Sequence, residues 1–468
     1  VKARAAFLLL AGGLIATRLC HIEILWPEET LPSAAAVQIL QGHALYRDVW
    51  FDKPPLVALA YLAWGAATAW PLRLAGALYA ALCCALAYLF ARDLWGEREG
   101  LVSAALLAFF LTFGLPAAVI PLAADLLLLA PHIAAVWLAS RGSAFSSGVI
   151  AGVALMCNTK AIFVLVICAL WKPRVAARVL AGFACTAGIA HFALWAAGAL
   201  PEYLDQVWRW GFLYSRDTFL DRPVWNGIMR TANWTGFHLC LLAGAAWFWL
   251  RDRSSDRTRF GIWAALSLIA VCAGWRFFPR YFFQLLPVFT LAGARGLILL
   301  GPLRIAALAL LLVPLVRFGP RYAVLAADLA SGRRHDWSDI VMDQDSRETA
   351  ALLSRAAVPG SSLLVWGYRP EIFTYTRLPA GTRFLESQPL TGVLADRHLF
   401  QSEPTAPDWA QRNRSEVARS SPTFIVDGLT RFNPSLAIGR YPELRDWFSA
   451  YREIGRTRFT VIWERARE

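Results

Sequence analysis

The sequence predicts a polytopic α-helical membrane protein that carries a C-terminal α/β domain. Three observations lead there. Hydrophobic residues make up 57% of the chain and charged residues 17%, with a mean hydropathy of +0.45, far from the balance of a soluble globule. The apolar residues fall in long runs broken by short polar loops. Beyond Arg317 the composition shifts to that of an ordinary soluble domain.

A helix needs roughly 20 residues to cross a bilayer, and the runs give about eleven spans. They begin near Ala5, Leu72, Leu101, Leu122, Gly148, Ala161, Val179, Gly236, Phe260, Tyr281 and Ile305. The first run, Val1–Cys20, has Lys2 and Arg4 ahead of it as a signal peptide would. No small-residue cleavage site follows and more apolar runs do, so it reads as a retained first span. The stretches Leu56–Ala69 and Gly148–Cys157 are short, which suits segments that lie along the surface or re-enter. With the N-terminus cytoplasmic, alternate loops collect Arg92 and Arg98, then Arg141, then Lys172, Arg174 and Arg178, then Arg251 to Arg259, then Arg295 and Arg304. That parity satisfies the positive-inside rule.

The formal charge of +13 raises the question of a nucleic-acid partner. Residues Ser331–Glu468 hold 19 arginines against 17 acids, a net +2, which leaves +11 in the apolar portion. The excess therefore sits in membrane loops and argues against nucleic acid. All eight cysteines lie in apolar segments, with no CxxC and no disulfide framework, and read as buried structural thiols.

Residues 331–468 are expected to form an α/β domain on the outer face, and residues 1–330 the membrane domain. "SSLLVWGY", "PTFIVDGL" and "TRFTVIWE" are short β-rich runs, whereas "DSRETAALLSRAAV" and "PELRDWFSAYREI" have helical spacing.

Ionisable residues that the positive-inside rule does not explain gather on the opposite, outer side. In "WPEET", Pro27 opens a helix and Glu28 and Glu29 fall in its first turn, where acids complement the helix dipole. The functional reading is a general base for a hydroxyl. Adjacent helical residues point about 100° apart, so the two glutamates do not aim at one atom. In "FDKPPL", Lys53 either snorkels or presents an ammonium to a phosphate from a backbone stiffened by Pro54 and Pro55. Asp125, in "IPLAADLLLLAPH", is a lone acid near the end of an apolar helix, which faces a bundle interior or an aqueous cavity more often than lipid. His132 reads as a hydrogen-bonded core histidine. Lys160 interrupts a greasy hairpin, and Arg276 and Arg280 in "GWRFFPRYFFQLLP" flank Pro279, either as interfacial anchors or as partners of an anion. Basic groups from three segments, beside carboxylates, fit an anionic, lipid-soluble ligand.

These features resemble the GT-C glycosyltransferases, specifically bacterial relatives of protein O-mannosyltransferases and lipid A aminoarabinose transferases. "PEE" is similar to the Pro-Asp-Glu of the family's first external loop, "LYRDVWFDKPPL" to the segment that follows, and "AADLLLLAP" to its second acidic position. "RFFPRYFFQLLPVFTLAGARGL" and "LLVWGYRPEIFTYTRLPAGTRF" are similar to segments of bacterial members.

The resemblance implies an inverting transfer of a sugar from a polyprenyl-phosphate carrier to a protein, lipid or glycan acceptor. The enzyme would sit in the cytoplasmic membrane, with loop 23–55 catalytic and both the active site and the C-terminal domain extracytoplasmic. It places Glu28, Glu29 and Asp125 as the acidic catalytic residues. Lys53 faces the donor phosphate, with Lys160, Arg276 and Arg280 as helpers. Glu28 stands where the family has aspartate, so its carboxylate reaches one methylene further. No cofactor is called for, and a divalent cation stays open because acids without histidine spacing are weak evidence for a site. Two rivals remain: a transporter or flippase for an amphipathic anion, against which stand the lack of repeated halves and the outer-edge charges, and a scaffold without turnover.

Overall fold

The computed structural model describes residues 2–115, 120–217 and 222–466. Val1 and the last two residues of the expected outer domain lie outside them. The described chain is mostly helical, with one small sheet near the C-terminus. Its internal contacts divide it into two compact units.

The first unit comprises Val1–Glu23, Ala69–Ala193 and Thr218–Arg334, and is helical. Among the described residues, Trp70–Trp95, Pro173–Ala196 and Pro279–Leu299 are each long and apolar enough to cross a membrane. Gly301–Ala309 with Leu312–Ser331 reaches that measure as a pair bent by 40°. Ala124–Ser140, Ala144–Cys157, Thr159–Trp171 and Leu239–Arg251 are apolar but only 10–17 residues long. The cause of one break is local. Asn158 stands in extended conformation between two of these helices, and its side chain accepts the Lys160 backbone N–H at 3.0 Å, capping the turn that follows.

Small residues let the backbones of this unit touch. A Cβ on Gly296 would meet the Gly244 carbonyl oxygen at 1.7 Å, and one on Gly148 would meet that of Val179 at 1.9 Å. Helix pairing without side chains between them is the packing expected where lipid gives no hydrophobic drive to associate. Polar ties add to it. Arg295 lies inside the helix Leu286–Leu299, not in a loop as the sequence suggested, and reaches Glu99 at 2.6 Å and Asp252 at 3.0 Å as an internal brace. His132, expected in the core, accepts the Trp263 indole N–H at 2.9 Å. Arg18, fully buried, donates to the Ile120 carbonyl at 2.9 Å. All eight cysteines are free and five are buried, but Cys185 is exposed, contrary to the expectation for every thiol.

The second unit holds the sheet. Strands β1 (Leu363–Trp366), β2 (Phe424–Asp427), β3 (Tyr451–Arg456) and β4 (Val461–Arg465) lie in the order β1-β2-β4-β3. β1 and β2 pair in parallel, Leu363 opposite Phe424, and the other two pairs are antiparallel. β1 and β2 are buried on both faces, as suits the apolar run Leu363–Trp366 and the apolar residues Phe424, Ile425 and Val426 ahead of Asp427. "PELRDWFSAYREI" is only half helical: the helix stops at Phe448 and Tyr451–Arg456 becomes β3, which pairs with β4 through Tyr451, Arg452, Glu453, Gly455 and Arg456. Local spacing could not reveal that pairing.

The sheet unit is not confined to the C-terminal segment His335–Glu468; it also takes in Ile24–Thr68 and Leu194–Asp217. Long-range hydrogen bonds show why. Gln206 accepts the Phe51 N–H at 2.8 Å and donates to the Tyr46 carbonyl at 2.8 Å. Gln38 bonds both Leu378 and Ala380, and the Trp50 N–H reaches the Arg383 carbonyl at 2.7 Å. Trp50 and Trp210 enter the same apolar core as Leu364, Trp366 and Ile425.

Candidate functional site

In the second unit the helix Pro27–Leu40 begins as the sequence suggests, with proline first and acids in the opening turn. The two glutamates differ in environment. Glu29 is 0% exposed, and its Oε2 accepts the Trp26 backbone N–H at 3.3 Å, which caps the helix start. Glu28 is half-buried. Their separation around the helix thus divides a capping carboxylate from one nearer the surface.

A buried ionic network lies in the same unit. Arg369, buried, reaches Asp345 at 3.1 Å, Glu371 at 3.1 Å and the Ser346 hydroxyl. Asp345 also accepts the Phe459 N–H at 2.9 Å. On the same helix, Ser338–Ala356, Asp343 accepts from Arg347 at 2.8 Å and from the Tyr375 hydroxyl, and the Leu25 N–H approaches it at 3.4 Å. Burial raises the Asp343 and Glu371 carboxyls above their usual range, opposed chiefly by Arg347 and Arg369 respectively.

Lys53 lies in the same unit. Its ammonium bonds Asp52 at 2.8 Å, and the Tyr46 hydroxyl donates to its backbone carbonyl at 2.8 Å. Lys53 is partly exposed while the Asp52 side chain is largely buried, and Asp52 Oδ1 has no hydrogen-bond partner among the described residues. Glu386, 1% exposed, senses both charges. Burial pushes its carboxyl well above the usual range, Asp52 adds to that and Lys53 opposes it. One oxygen of Glu386 accepts the Gln388 N–H, and the other has no partner among the described residues. Sequence reasoning passed over Asp52, although it precedes Lys53 directly, and Glu386, which has no local signal.

The first unit assembles the remaining candidates. Asp125, in the first turn of Ala124–Ser140, accepts from the Asn158 amide at 3.1 Å and lies 3.7 Å from the Arg280 guanidinium. Lys160 places its Nζ 3.4 Å from the centre of the Tyr281 ring, a cation–π contact. That Nζ is buried and has no hydrogen-bond partner among the described residues; it feels attraction from Asp125 and repulsion from Arg280. Arg276 is 4% exposed and sits between Trp275 and Phe277, both in the left-handed region at φ 54° and 49°. Such backbone costs roughly 1–3 kcal/mol per residue and persists only where the surroundings impose it. The structure thus brings Asp125, Lys160 and Arg280 together, and separately Asp52, Lys53 and Glu386. Asn158 and Tyr281 are partners that sequence reasoning did not single out. Among the described residues no group of three or more His, Cys, Asp or Glu could hold a metal ion.

The fold that carries these groups is similar to that of several solved structures. The chain is similar to ArnT from Cupriavidus metallidurans bound to undecaprenyl phosphate, at 14% identity and a TM-score of 0.57, over 99% of this chain and 98% of that one. It is also similar to the archaeal oligosaccharyltransferase AglB from Archaeoglobus fulgidus, in complex with an inhibitory peptide and a dolichol-phosphate, at 12% identity and a TM-score of 0.50, over 96% and 72% of the chains. The Archaeoglobus fulgidus oligosaccharyltransferase in complex with zinc and sulfate matches at 14% identity and a TM-score of 0.50, over 95% and 71%. No protein-family model and no curated protein sequence matches the chain.

Proposed function

We propose that the protein is an integral membrane glycosyltransferase that moves a sugar from a polyprenyl-phosphate carrier to an acceptor hydroxyl with inversion. The observation that carries this reading is the Lys160 ammonium, buried without a hydrogen-bond partner in an apolar helical unit and accompanied by Arg280 and Asp125. Desolvating such a charge costs several kcal/mol unless something pairs with it. The Tyr281 ring and Asp125 offset part of that cost, and an anionic group on a lipid supplies the hydrogen-bond acceptor that Lys160 lacks among the described residues. The fold supports the same reading, since the similar ArnT structure is bound to undecaprenyl phosphate and the similar AglB structure is in complex with a dolichol-phosphate.

In this reading the acceptor oxygen attacks the anomeric carbon from the face opposite the phosphate, the glycosidic C–O bond breaks, and the polyprenyl phosphate departs. Glu28 takes the acceptor proton, because Glu29 is committed to the helix start. Lys53, held by Asp52, stabilises charge that grows on the leaving phosphate. Within the first unit, Lys160, Arg276 and Arg280 are assigned to anion binding, and Asp125, 3.7 Å from Arg280, orients that guanidinium. The chemistry belongs on the outer face of the cytoplasmic membrane, together with residues 331–468.

Mass spectrometry of cell-envelope glycans with and without the gene tests the proposal. A glycan that loses one sugar in the deletion strain, and regains it on complementation, is the expected result. Identical glycans in both strains would count against it.

A further inference from the structure

We infer that a tryptophan-walled cavity in the second unit is a saccharide-binding subsite, separate from the residues given catalytic roles. It measures about 260 Å³ and is lined by Trp210, Leu213 and Trp409, with Arg209, Asp408 and Arg412 among its polar groups. The inference rests on the proposed glycosyl transfer: the subsite holds a sugar ring of the acceptor.

The aromatic wall is rigid. The Trp210 and Trp409 rings lie 4.7 Å apart at 43°, and both abut Trp50, at 6.1 and 6.3 Å. Trp210 is 1% exposed and belongs to the main apolar core, so it cannot swing away. The backbone behind the wall is pinned as well. Arg397 donates to Asp217 at 3.0 Å and to the Thr405 hydroxyl at 2.9 Å, and Thr405 in turn donates to Asp217, which ties the end of the Trp210 helix to the start of the Trp409 segment.

A pyranose has an apolar C–H face and a rim of hydroxyls that both donate and accept. The partly exposed Trp409 indole suits the face, with buried Trp210 packed behind it. Two guanidiniums and one carboxylate suit the rim, offering donors and an acceptor. A free phosphate fits less well, because Asp408 repels it and Arg209 is already bonded to Asp205 at 3.1 Å. The volume lies just under the roughly 300–1,000 Å³ of pockets that enclose drug-sized ligands, which suits one ring of a longer chain.

The test uses the full-length protein in a detergent without a sugar headgroup. Methyl α-mannoside and methyl N-acetylglucosaminide are titrated without donor, followed by tryptophan emission and saturation-transfer NMR, with inorganic phosphate and a proline-rich peptide in parallel. Saturable glycoside binding, roughly millimolar as expected of a single-ring site, should vanish in Trp409→Ala and weaken roughly tenfold in Arg412→Ala and Asp408→Ala. Both of these latter positions are exposed, so they decide the matter if Trp409→Ala does not fold. Lys53→Ala should bind glycoside normally. In transfer assays Arg412→Ala should raise acceptor KM and leave kcat and donor KM unchanged. Binding of phosphate or peptide alone, or no glycoside binding by a wild-type protein that transfers sugar, would overturn the inference. A wild type that binds glycosides but transfers nothing would instead overturn the proposed reaction.

Discussion

Glu28 and Glu29 are neighbours with opposite expected phenotypes, and their environments set the magnitudes. Glu29 is wholly buried and accepts the Trp26 N–H at 3.3 Å. Truncating it to alanine removes a cap, worth about 0.5–2 kcal/mol, and leaves a buried N–H that lost its partner, at about 1–3 kcal/mol. These overlap, so Glu29→Ala should lose about 1–3 kcal/mol of stability. Glu28 is half-buried, and Glu28→Gln keeps its shape, so stability should stay within about 0.5 kcal/mol. Loss of a general base, by contrast, should slow turnover roughly 100-fold or more, about 2.7 kcal/mol of barrier, with donor affinity nearly intact. Unfolding in detergent and single-turnover transfer on the same preparations separate the two effects. Wild-type turnover in Glu28→Gln would remove it from the mechanism. Equal kinetic loss in Glu28→Gln and Glu29→Gln, with stability unchanged in both, would refute the division into base and cap.

The other expectations rest on neighbouring contacts. Lys53→Ala should depress kcat as well as donor affinity, because its interaction strengthens as negative charge builds on the phosphate, and Lys53→Arg should recover only part of the activity; initial rates over a donor series check both. Glu386 has a raised folded-state pKa, so the stability it contributes is full below its ordinary value of 4.5 and is lost as pH rises toward the folded value; Glu386→Gln should flatten that decline in pH-dependent melting curves. Arg369→Met strands Asp345 and Glu371 in the interior and should cost about 3–5 kcal/mol by denaturant unfolding, more than any exposed arginine of the same unit. A cysteine placed at exposed Arg419 should label in intact cells with an impermeant reagent, and labelling only after lysis would contradict the outward placement of the C-terminal segment.

Much of the architecture was legible because it is written locally. "LLVW", "FIVD" and "VIWE" are short apolar runs bounded by turn residues, and they are β1, β2 and part of β4. Pro27 with two acids marks a helix start without any tertiary information. β3 was hidden because "YREI" continues a helical pattern and becomes a strand only by pairing with β4. The recruitment of 24–68 and 194–217 into the sheet unit was hidden for a related reason: Gln206 and Gln38 act across more than a hundred residues, and a glutamine in a sequence does not announce its partner. Among the candidate site residues, Asp125 and Lys160 were visible because charge is conspicuous in apolar surroundings. Glu386 was not, since "FLESQP" reads as an ordinary loop and its burial is a product of folding.

Donor choice tests the central claim most directly. Purified protein in detergent is given a radiolabelled polyprenyl-phosphate sugar, and in parallel the same sugar on a nucleotide, with an envelope extract as acceptor. The lipid-linked donor should support transfer in the wild type, and Lys53→Ala should reduce it, while the nucleotide sugar, lacking a lipid, should support none. Efficient transfer from the nucleotide sugar, or full activity from the lipid donor in Lys53→Ala, would contradict the account.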